Sequence, residues 1–81
     1  MNTEIRRVVA EHARLSVGVD ALADDADLYQ AGMTSHASVN LMLALEEAFD
    51  VEFPDSMLNR SAFESIAAIE TSISTLLREA A

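Results

Sequence analysis

The sequence contains no cysteine and no tryptophan, and it has only one proline and two glycines. Without cysteine the chain has no disulfide, no thiolate metal site and no thiol nucleophile of its own. Its longest purely apolar run, Leu41 to Leu45, is far too short for a bilayer, which needs about 20 apolar residues. The segment from Met1 to Arg7 lacks the apolar stretch of a secretion signal. We therefore expect a cytoplasmic protein that does not insert into membranes.

Positive charge is also scarce. The chain has no lysine and five arginines against 14 acidic residues, which gives a net charge of −9. Within residues 15–59 His36 is the only basic side chain, and the acidic residues there are Asp20, Asp24, Asp25, Asp27, Glu46, Glu47, Asp50, Glu52 and Asp55. Such a surface repels nucleic acid and anionic membranes and attracts basic protein faces. The simpler interpretation, a solvated acidic surface that aids solubility, stays open.

The length of 81 residues indicates a single domain, residues 1–81, with one small core. Because 51% of the residues are hydrophobic, the chain can bury that core. A domain of this size has no room for both a catalytic pocket and a separate substrate domain. We therefore predict a monomeric binding, carrying or adaptor protein that is not an enzyme.

Helical periodicity dominates the chain, and strand signals are absent. The pattern predicts a first helix over about Thr3 to Leu15, with Thr3 as its cap. It predicts a second helix over about Ser35 to Phe49 that is apolar around more than one face. The main stripe of that helix consists of Val39, Met42, Leu45 and Phe49, and it is widened by Leu41, Leu43 and Ala48.

The segment Asp50–Asp55 alternates polar and apolar residues next to the one proline. It is too short for a sheet, so we predict an anchored loop with Val51 and Phe53 turned inward. A short helical turn over about Ser56 to Arg60 follows, and it is the shortest helix.

A last helix over about Ala62 to Arg78 is predicted to begin with a capping box between Ser61 and Glu64. Residues 16–34 form a connection much longer than the usual helix–helix loop, and such loops are commonly functional. The apolar residues expected to pin this loop are Val17, Val19, Leu22, Leu28 and Met33. The predicted architecture is all-α: a small four-helix bundle with a long first loop and a short third helix.

Ser35 lies where the long loop meets the second helix. The first backbone N–H groups of a helix lack partners and the helix dipole favours negative charge there, so this position suits an attached phosphate. On the serine alone, however, an ordinary N-cap formed by Ser35 or Thr34 is the simpler interpretation.

The surrounding residues strengthen the functional interpretation. They are Asp27-Leu28-Tyr29, Gly32-Met33-Thr34-Ser35, Val39, Leu41, Leu45-Glu46-Glu47-Ala48-Phe49 and Phe53-Pro54-Asp55. This pattern resembles the acyl carrier protein family over roughly residues 4–77. The family's attachment site is Gly-x-Asp-Ser-Leu, in which the serine takes 4′-phosphopantetheine. Here Thr34 replaces the usual aspartate and His36 the usual leucine.

The resemblance implies that Ser35 holds a phosphopantetheine arm, which a phosphopantetheinyl transferase donates from coenzyme A. The thiol of that arm would supply the thioester chemistry that a chain without cysteine cannot provide. The carrier itself then presents cargo to enzymes and performs no reaction.

The resemblance also implies docking on basic faces of partner enzymes through the second helix. The distal acidic residues Glu46, Glu47 and Asp50 are present, whereas Thr34, Ala37 and Asn40 occupy positions that are commonly acidic in carriers of fatty acid synthesis. We therefore expect fatty acid synthase enzymes to use this protein poorly as a carrier, and we expect a dedicated partner enzyme instead. The candidate docking residues are Thr34, His36, Asn40, Glu46, Glu47 and Asp50.

Several segments look like the stand-alone amino acid carrier proteins that work with seryl-tRNA-synthetase-like amino acid:carrier protein ligases. They are Gly32-Met33-Thr34-Ser35, Ala44-Leu45-Glu46-Glu47-Ala48-Phe49-Asp50, Glu52-Phe53-Pro54-Asp55 and Leu58-Asn59-Arg60. This likeness implies an aminoacyl cargo, loaded by a dedicated ligase and passed to downstream transferases. A fatty-acyl, polyketide or peptidyl carrier is the alternative. An unmodified acidic helical adaptor is a rival from a different class.

Other polar residues receive simpler interpretations. Ser38 lies one turn into the helix and is predicted to be a plain helix residue. His36 either contacts the arm or a partner, or is a polar first-turn residue. Further serines, interpreted as solvent-facing, are Ser56, Ser65, Ser72 and Ser74. A calcium loop starting at Asp25 would need glycine at its sixth position, which is Gln30, so we predict no metal site.

Overall fold

Four α-helices make up the computed structural model, which describes residues 1–80. They are α1 Asn2–His12, α2 Ser35–Phe49, α3 Arg60–Phe63 and α4 Ile66–Ala80, with single 3₁₀ turns at Val19–Ala21 and Asp55–Met57. Within this described part there is no strand, and no helix is long and apolar enough to cross a membrane. The predicted all-α bundle with a long first loop and a short third helix is confirmed. The position of the third helix differs from the prediction of about Ser56 to Arg60, because that segment holds the 3₁₀ turn and α3 begins only at Arg60.

The core lies where α1 packs against both α2 and α4. The largest fully buried side chains are Ile5, Val9, Leu28, Leu41, Leu45, Ile66, Ile69 and Ile73. Leu28 comes from the long first loop, and every other member comes from α1, α2 or α4. Burial of such side chains stabilises the fold by roughly 25 cal/mol per Å² of apolar surface, so the loop shares in the core that holds the helices together.

The first helix begins and ends earlier than predicted. It starts at Asn2 and no side chain caps it, so the predicted Thr3 cap is wrong. Instead, Asn2 accepts a hydrogen bond from Arg6 Nε at 3.1 Å and donates to Asp24 at 3.1 Å, which fixes the first turn through side chains. Arg14 has a φ of 54°, in the left-handed region, and this conformation ends the helix before Leu15.

The second helix has the predicted bounds, but its buried face differs from the prediction. Its buried residues are Ala37, Leu41 and Leu45. Val39 and Leu43, which we predicted to belong to the core stripe, are 52% and 53% exposed. A helix that is apolar around more than one face fits more than one register, and packing against α1 selects the face that is buried.

The segment after α2 is anchored as predicted. Asp50 has a φ of 53° and ends the helix in a left-handed conformation. Phe53 is buried and Val51 is half-buried. The rings of Phe53 and Phe63 lie 5.2 Å apart between centroids at an interplanar angle of 60°, a favourable tilted pair.

The predicted helix over 62–78 is interrupted. Asn59 caps α3 and Ser65 caps α4, each accepting a hydrogen bond at 3.0 Å from the backbone N–H three residues later. The predicted capping box of Ser61 and Glu64 is therefore wrong, and Ser65 is buried rather than solvent-facing. The interruption frees the carbonyl of Glu64 to accept a hydrogen bond from Leu28 N at 2.7 Å, which ties the first loop to this junction.

Candidate functional site

The long first loop is held by its own hydrogen bonds where it approaches α2. The Asp27 carboxylate accepts hydrogen bonds from the backbone N–H of Tyr29 at 2.9 Å and of Gln30 at 3.3 Å. Met33 is buried, and its N–H donates to the carbonyl of Leu28 at 3.0 Å. The prediction that Leu28 and Met33 pin this loop is confirmed, whereas Val17, at 47% exposed, does not pin it.

Gly32 makes the close approach that directs the chain into α2. Its φ is +119°, a conformation that L side chains rarely adopt, and a Cβ there would lie 3.0 Å from the backbone nitrogen of Ser16. Ser16 donates to the carbonyl of Ala31 through its backbone nitrogen at 2.9 Å and through its hydroxyl at 2.8 Å. The glycine is therefore required by both backbone conformation and space.

Thr34 and Ser35 have different roles at the start of α2. Thr34 is the N-cap, and its hydroxyl oxygen accepts a hydrogen bond from Ala37 N at 3.0 Å. Ser35 is the first helical residue, is exposed, and its hydroxyl makes no hydrogen bond to any of residues 1–80. Because Thr34 performs the capping, the Ser35 hydroxyl stays available for modification.

Ser38 is the other hydroxyl on this turn, and its environment differs. Its Oγ donates to the carbonyl of Ser35 at 2.7 Å, and the residue is half-buried. A hydroxyl turned back onto its own helix is poorly placed for attack by a modifying enzyme. Of the two hydroxyl groups, that of Ser35 is therefore the more accessible.

Beside Ser35 a surface cavity of about 340 Å³ opens between α2 and α3. Its apolar wall is formed by Val39, Met42, Leu58 and Phe63. Arg60 also lines it, with its guanidinium carbon 4.0 Å from the centroid of the Tyr29 ring.

The candidate docking residues lie along α2, but they are not equivalent. Those that are exposed are Thr34, His36, Asn40, Glu47 and Asp50. Glu46 is half-buried, and its Oε2 accepts a hydrogen bond from Phe53 N at 2.8 Å. The Glu46 carboxylate thus has a structural partner within the chain, whereas the Glu47 carboxylate makes no ion pair or hydrogen bond with any of residues 1–80.

Two exposed residues of this surface were missed by the sequence reasoning. Val39 and Leu43 follow Ser35 at spacings of four and eight residues, so all three share one face of α2. That spacing was the available signal, because a face that must expose Ser35 also exposes the residues one and two turns later. We call Ser35, Val39, Leu43 and Glu47 the Ser35 face.

Among residues 1–80, no group of three or more histidine, aspartate and glutamate side chains is arranged to hold a metal ion. Asp24, a member of the acidic loop, instead pairs with Arg6 at 2.6 Å. This loop carboxylate therefore contributes to the fold.

Comparison with known proteins gives independent support for the carrier-protein interpretation. Residues 3–73 match the family model described as a phosphopantetheine attachment site. The chain is 54% identical over 77 residues to an aminoacyl carrier protein of Agrobacterium fabrum, covering 95% of this chain and 93% of that one. It is 34% identical over 83 residues to aminoacyl carrier protein 1 of Bradyrhizobium diazoefficiens, covering 98% and 92%.

Solved structures agree with the fold. One match is to the crystal structure of an engineered Bradyrhizobium japonicum glycine:[carrier protein] ligase complexed with a carrier protein from Agrobacterium tumefaciens and AMP. The TM-score is 0.89 at 55% identity, covering 91% of this chain and 99% of that one. Another is to the B. japonicum ligase complexed with glycylated carrier protein, with a TM-score of 0.75 at 31% identity, covering 88% and 95%.

Proposed function

The chain belongs to the family of proteins with a phosphopantetheine attachment site, and from that premise we propose that it carries an aminoacyl group as a thioester on an arm attached to Ser35. The resemblance to carrier proteins inferred from the sequence is therefore correct at the level of the family. The identity of the attachment residue, the cargo and the partners form the proposal.

The observation that most strongly supports Ser35 as the attachment residue is that the neighbouring Thr34, and not Ser35, caps α2. The Thr34 hydroxyl caps α2, so attachment at Ser35 costs the helix no capping bond. The exposed Ser35 hydroxyl can be approached from solvent. The unpaired N–H groups and the dipole at the start of a 15-residue helix favour a phosphodiester there.

Attachment requires a transferase and coenzyme A. The Ser35 hydroxyl oxygen bonds to the phosphorus that carries pantetheine, its proton goes to a base of the transferase, and adenosine 3′,5′-bisphosphate leaves. The arm, once bound, supplies the thiol that this cysteine-free chain lacks. The protein contributes attachment, orientation and docking, and a tether of this kind raises the local concentration of cargo at a docked enzyme.

The Ser35 face is a suitable surface for a ligase. Val39 and Leu43 provide apolar contact, while Glu47 and Asp50 provide negative charge at the far end of α2. A partner with an apolar patch beside basic residues would complement it. The relatives named as aminoacyl carrier proteins and the ligase complexes support an amino acid:carrier protein ligase as that partner.

The remaining partners follow from the same chemistry. We propose a phosphopantetheinyl transferase upstream and aminoacyl-accepting transferases downstream, all of them acting in the cytoplasm. A fatty-acyl cargo is less well supported, because Thr34, Ala37 and Asn40 leave the start of α2 without the acidic side chains of fatty-acid carriers.

The cargo is tested by loading. Arm-bearing protein is incubated with ATP and an amino acid:carrier protein ligase, or with a fatty-acyl ligase, and its intact mass is measured. We expect a hydroxylamine-labile aminoacyl adduct with the first enzyme only, and none on Ser35→Ala. A stable acyl adduct with the second enzyme and none with the first would contradict the aminoacyl assignment.

A further inference from the structure

Arg60 lines the same surface cavity as Ser35. We propose that Arg60 binds the phosphodiester of the arm and so acts as a positioning residue for it. This inference rests on the proposed attachment at Ser35 and names the residue of this chain that holds the root of the arm.

The cavity has an unusual charge distribution for so acidic a protein. Among the described residues that line it, Arg60 is the only charged one, and the others are apolar or neutral polar residues. A phosphodiester placed at Ser35 would therefore meet one cation and no carboxylate on this wall. The carboxylates of α2, Glu46 and Glu47, follow Ser35 by 11 and 12 residues and so lie towards the other end of the helix.

The contact with Tyr29 occupies none of the Arg60 N–H donors with an oxygen acceptor. The guanidinium carbon lies over the Tyr29 ring, 4.0 Å from its centroid, which is a favourable cation–π distance. The five N–H donors of a guanidinium lie in its plane and match phosphate oxygens in pairs. Within residues 1–80 these donors make no hydrogen bond and no ion pair.

Two other arginines, Arg6 and Arg7, already use their N–H donors within the fold. Arg6 donates to Asp24 and to the carbonyl of Val19, and Arg7 pairs with Glu4 and Glu11. Arg60 is also the only lysine or arginine within residues 15–77. Its place in the lining of the cavity that Ser35 also lines, with donors that are unpaired within residues 1–80, suits a charge-assisted contact with phosphate.

Phosphorus NMR on the isolated arm-bearing protein tests the contact without any partner enzyme. The observable is the difference in the phosphodiester resonance between folded and urea-unfolded protein. We expect Arg60→Gln to lose at least half of this difference and Arg60→Lys to recover part of it, because lysine keeps the charge but not the paired donors. Arg78→Gln, an exposed arginine on α4, is the matched control and should keep the full difference.

A second observable reports the wild-type protein directly. The Nε–Hε resonance of Arg60 should move when the arm is attached, and that of Arg78 should stay. Tyr29→Leu should reduce the movement, because it removes the ring that orients the guanidinium.

These experiments distinguish a failure of the attachment at Ser35 from a failure of the role proposed for Arg60. If intact mass shows no arm on Ser35, the proposed function fails. If the arm is present but Arg60→Gln leaves the phosphorus resonance at its wild-type position, only the role of Arg60 is overturned.

Discussion

The hydroxyl oxygen of Thr34 accepts a hydrogen bond from the backbone N–H of Ala37 at 3.0 Å, and this contact leaves the neighbouring Ser35 hydroxyl without a capping role. A serine that also capped its helix would have its oxygen turned back onto the backbone N–H groups, where it is less accessible for modification. In this protein, the stability of α2 and the chemistry of attachment reside on adjacent residues.

The first prediction compares how removal of the Thr34 hydroxyl and of the Ser35 hydroxyl changes the free energy of unfolding. Thr34→Val removes the capping oxygen at nearly constant shape, and the free energy of unfolding should fall by about 1 kcal/mol. Ser35→Ala should change it by no more than about 0.5 kcal/mol, because no hydrogen bond is lost. Urea unfolding of both variants measures the difference. A larger loss for Ser35→Ala would show that Ser35, not Thr34, supports the helix.

The second prediction concerns Glu46 and Glu47. Glu46→Ala leaves the N–H of Phe53 without its 2.8 Å partner, so we expect a loss of about 1–2 kcal/mol. Glu46→Gln keeps an acceptor oxygen and should lose less. Glu47→Ala should leave stability nearly unchanged but weaken ligase association at low salt. Equal stabilities for the Glu46→Ala and Glu47→Ala variants would refute the structural role of Glu46.

The third prediction tests the apolar part of the Ser35 face. Leu43→Ser removes a side chain that is 53% exposed, so folding should be little affected. If a ligase covers this residue, the variant loses the free energy of burying the leucine side chain, about 1.5 kcal/mol. The KM of the ligase for the carrier protein should then rise about tenfold. Leu77→Ser, on α4 and 36% exposed, is the matched control. An unchanged KM for Leu43→Ser, or an equal rise for Leu77→Ser, would place docking elsewhere.

The fourth prediction is a pH dependence. The hydrogen bond from Arg6, followed by that from Asn2, lowers the pKa of Asp24 below its ordinary value of 3.8. A carboxyl whose pKa is lower in the folded state stabilises the fold above its unfolded pKa, and this contribution disappears as pH falls through the folded pKa. Wild type should therefore exceed Asp24→Asn in stability near neutral pH and lose that advantage below pH 3.8. Chemical unfolding at a series of pH values measures this difference, and a gap that does not change with pH would contradict the prediction.

Much of the site could be predicted from local sequence because its signals are local. Gly32, a capping residue and a long apolar-rich segment together define the start of α2, and the predicted range Ser35–Phe49 agrees with the structure. The anchoring of Leu28 and Met33 could be predicted because a long loop that contains apolar residues gains free energy by burying them.

Features that depend on distant contacts were not predictable in the same way. The interruption between α3 and α4 is accompanied by two backbone bonds from the first loop, Leu28 N to Glu64 O and Ala67 N to Asp24 O. No local sequence pattern within residues 60–67 predicts either hydrogen bond, because each one joins this segment to a distant part of the chain. The pairing of Arg60 with Tyr29 likewise joins residues far apart in the chain, and only the folded structure brings them together.

The most direct test of the central claim is the site of attachment. The protein is incubated with a broad-specificity phosphopantetheinyl transferase and coenzyme A, and then analysed by intact mass and by fragmentation. We predict the gain of one phosphopantetheine group, localised to Ser35, in wild type and in Ser38→Ala, and no gain in Ser35→Ala. A wild-type protein that gains no such group, or that carries it on a residue other than Ser35, would contradict the account.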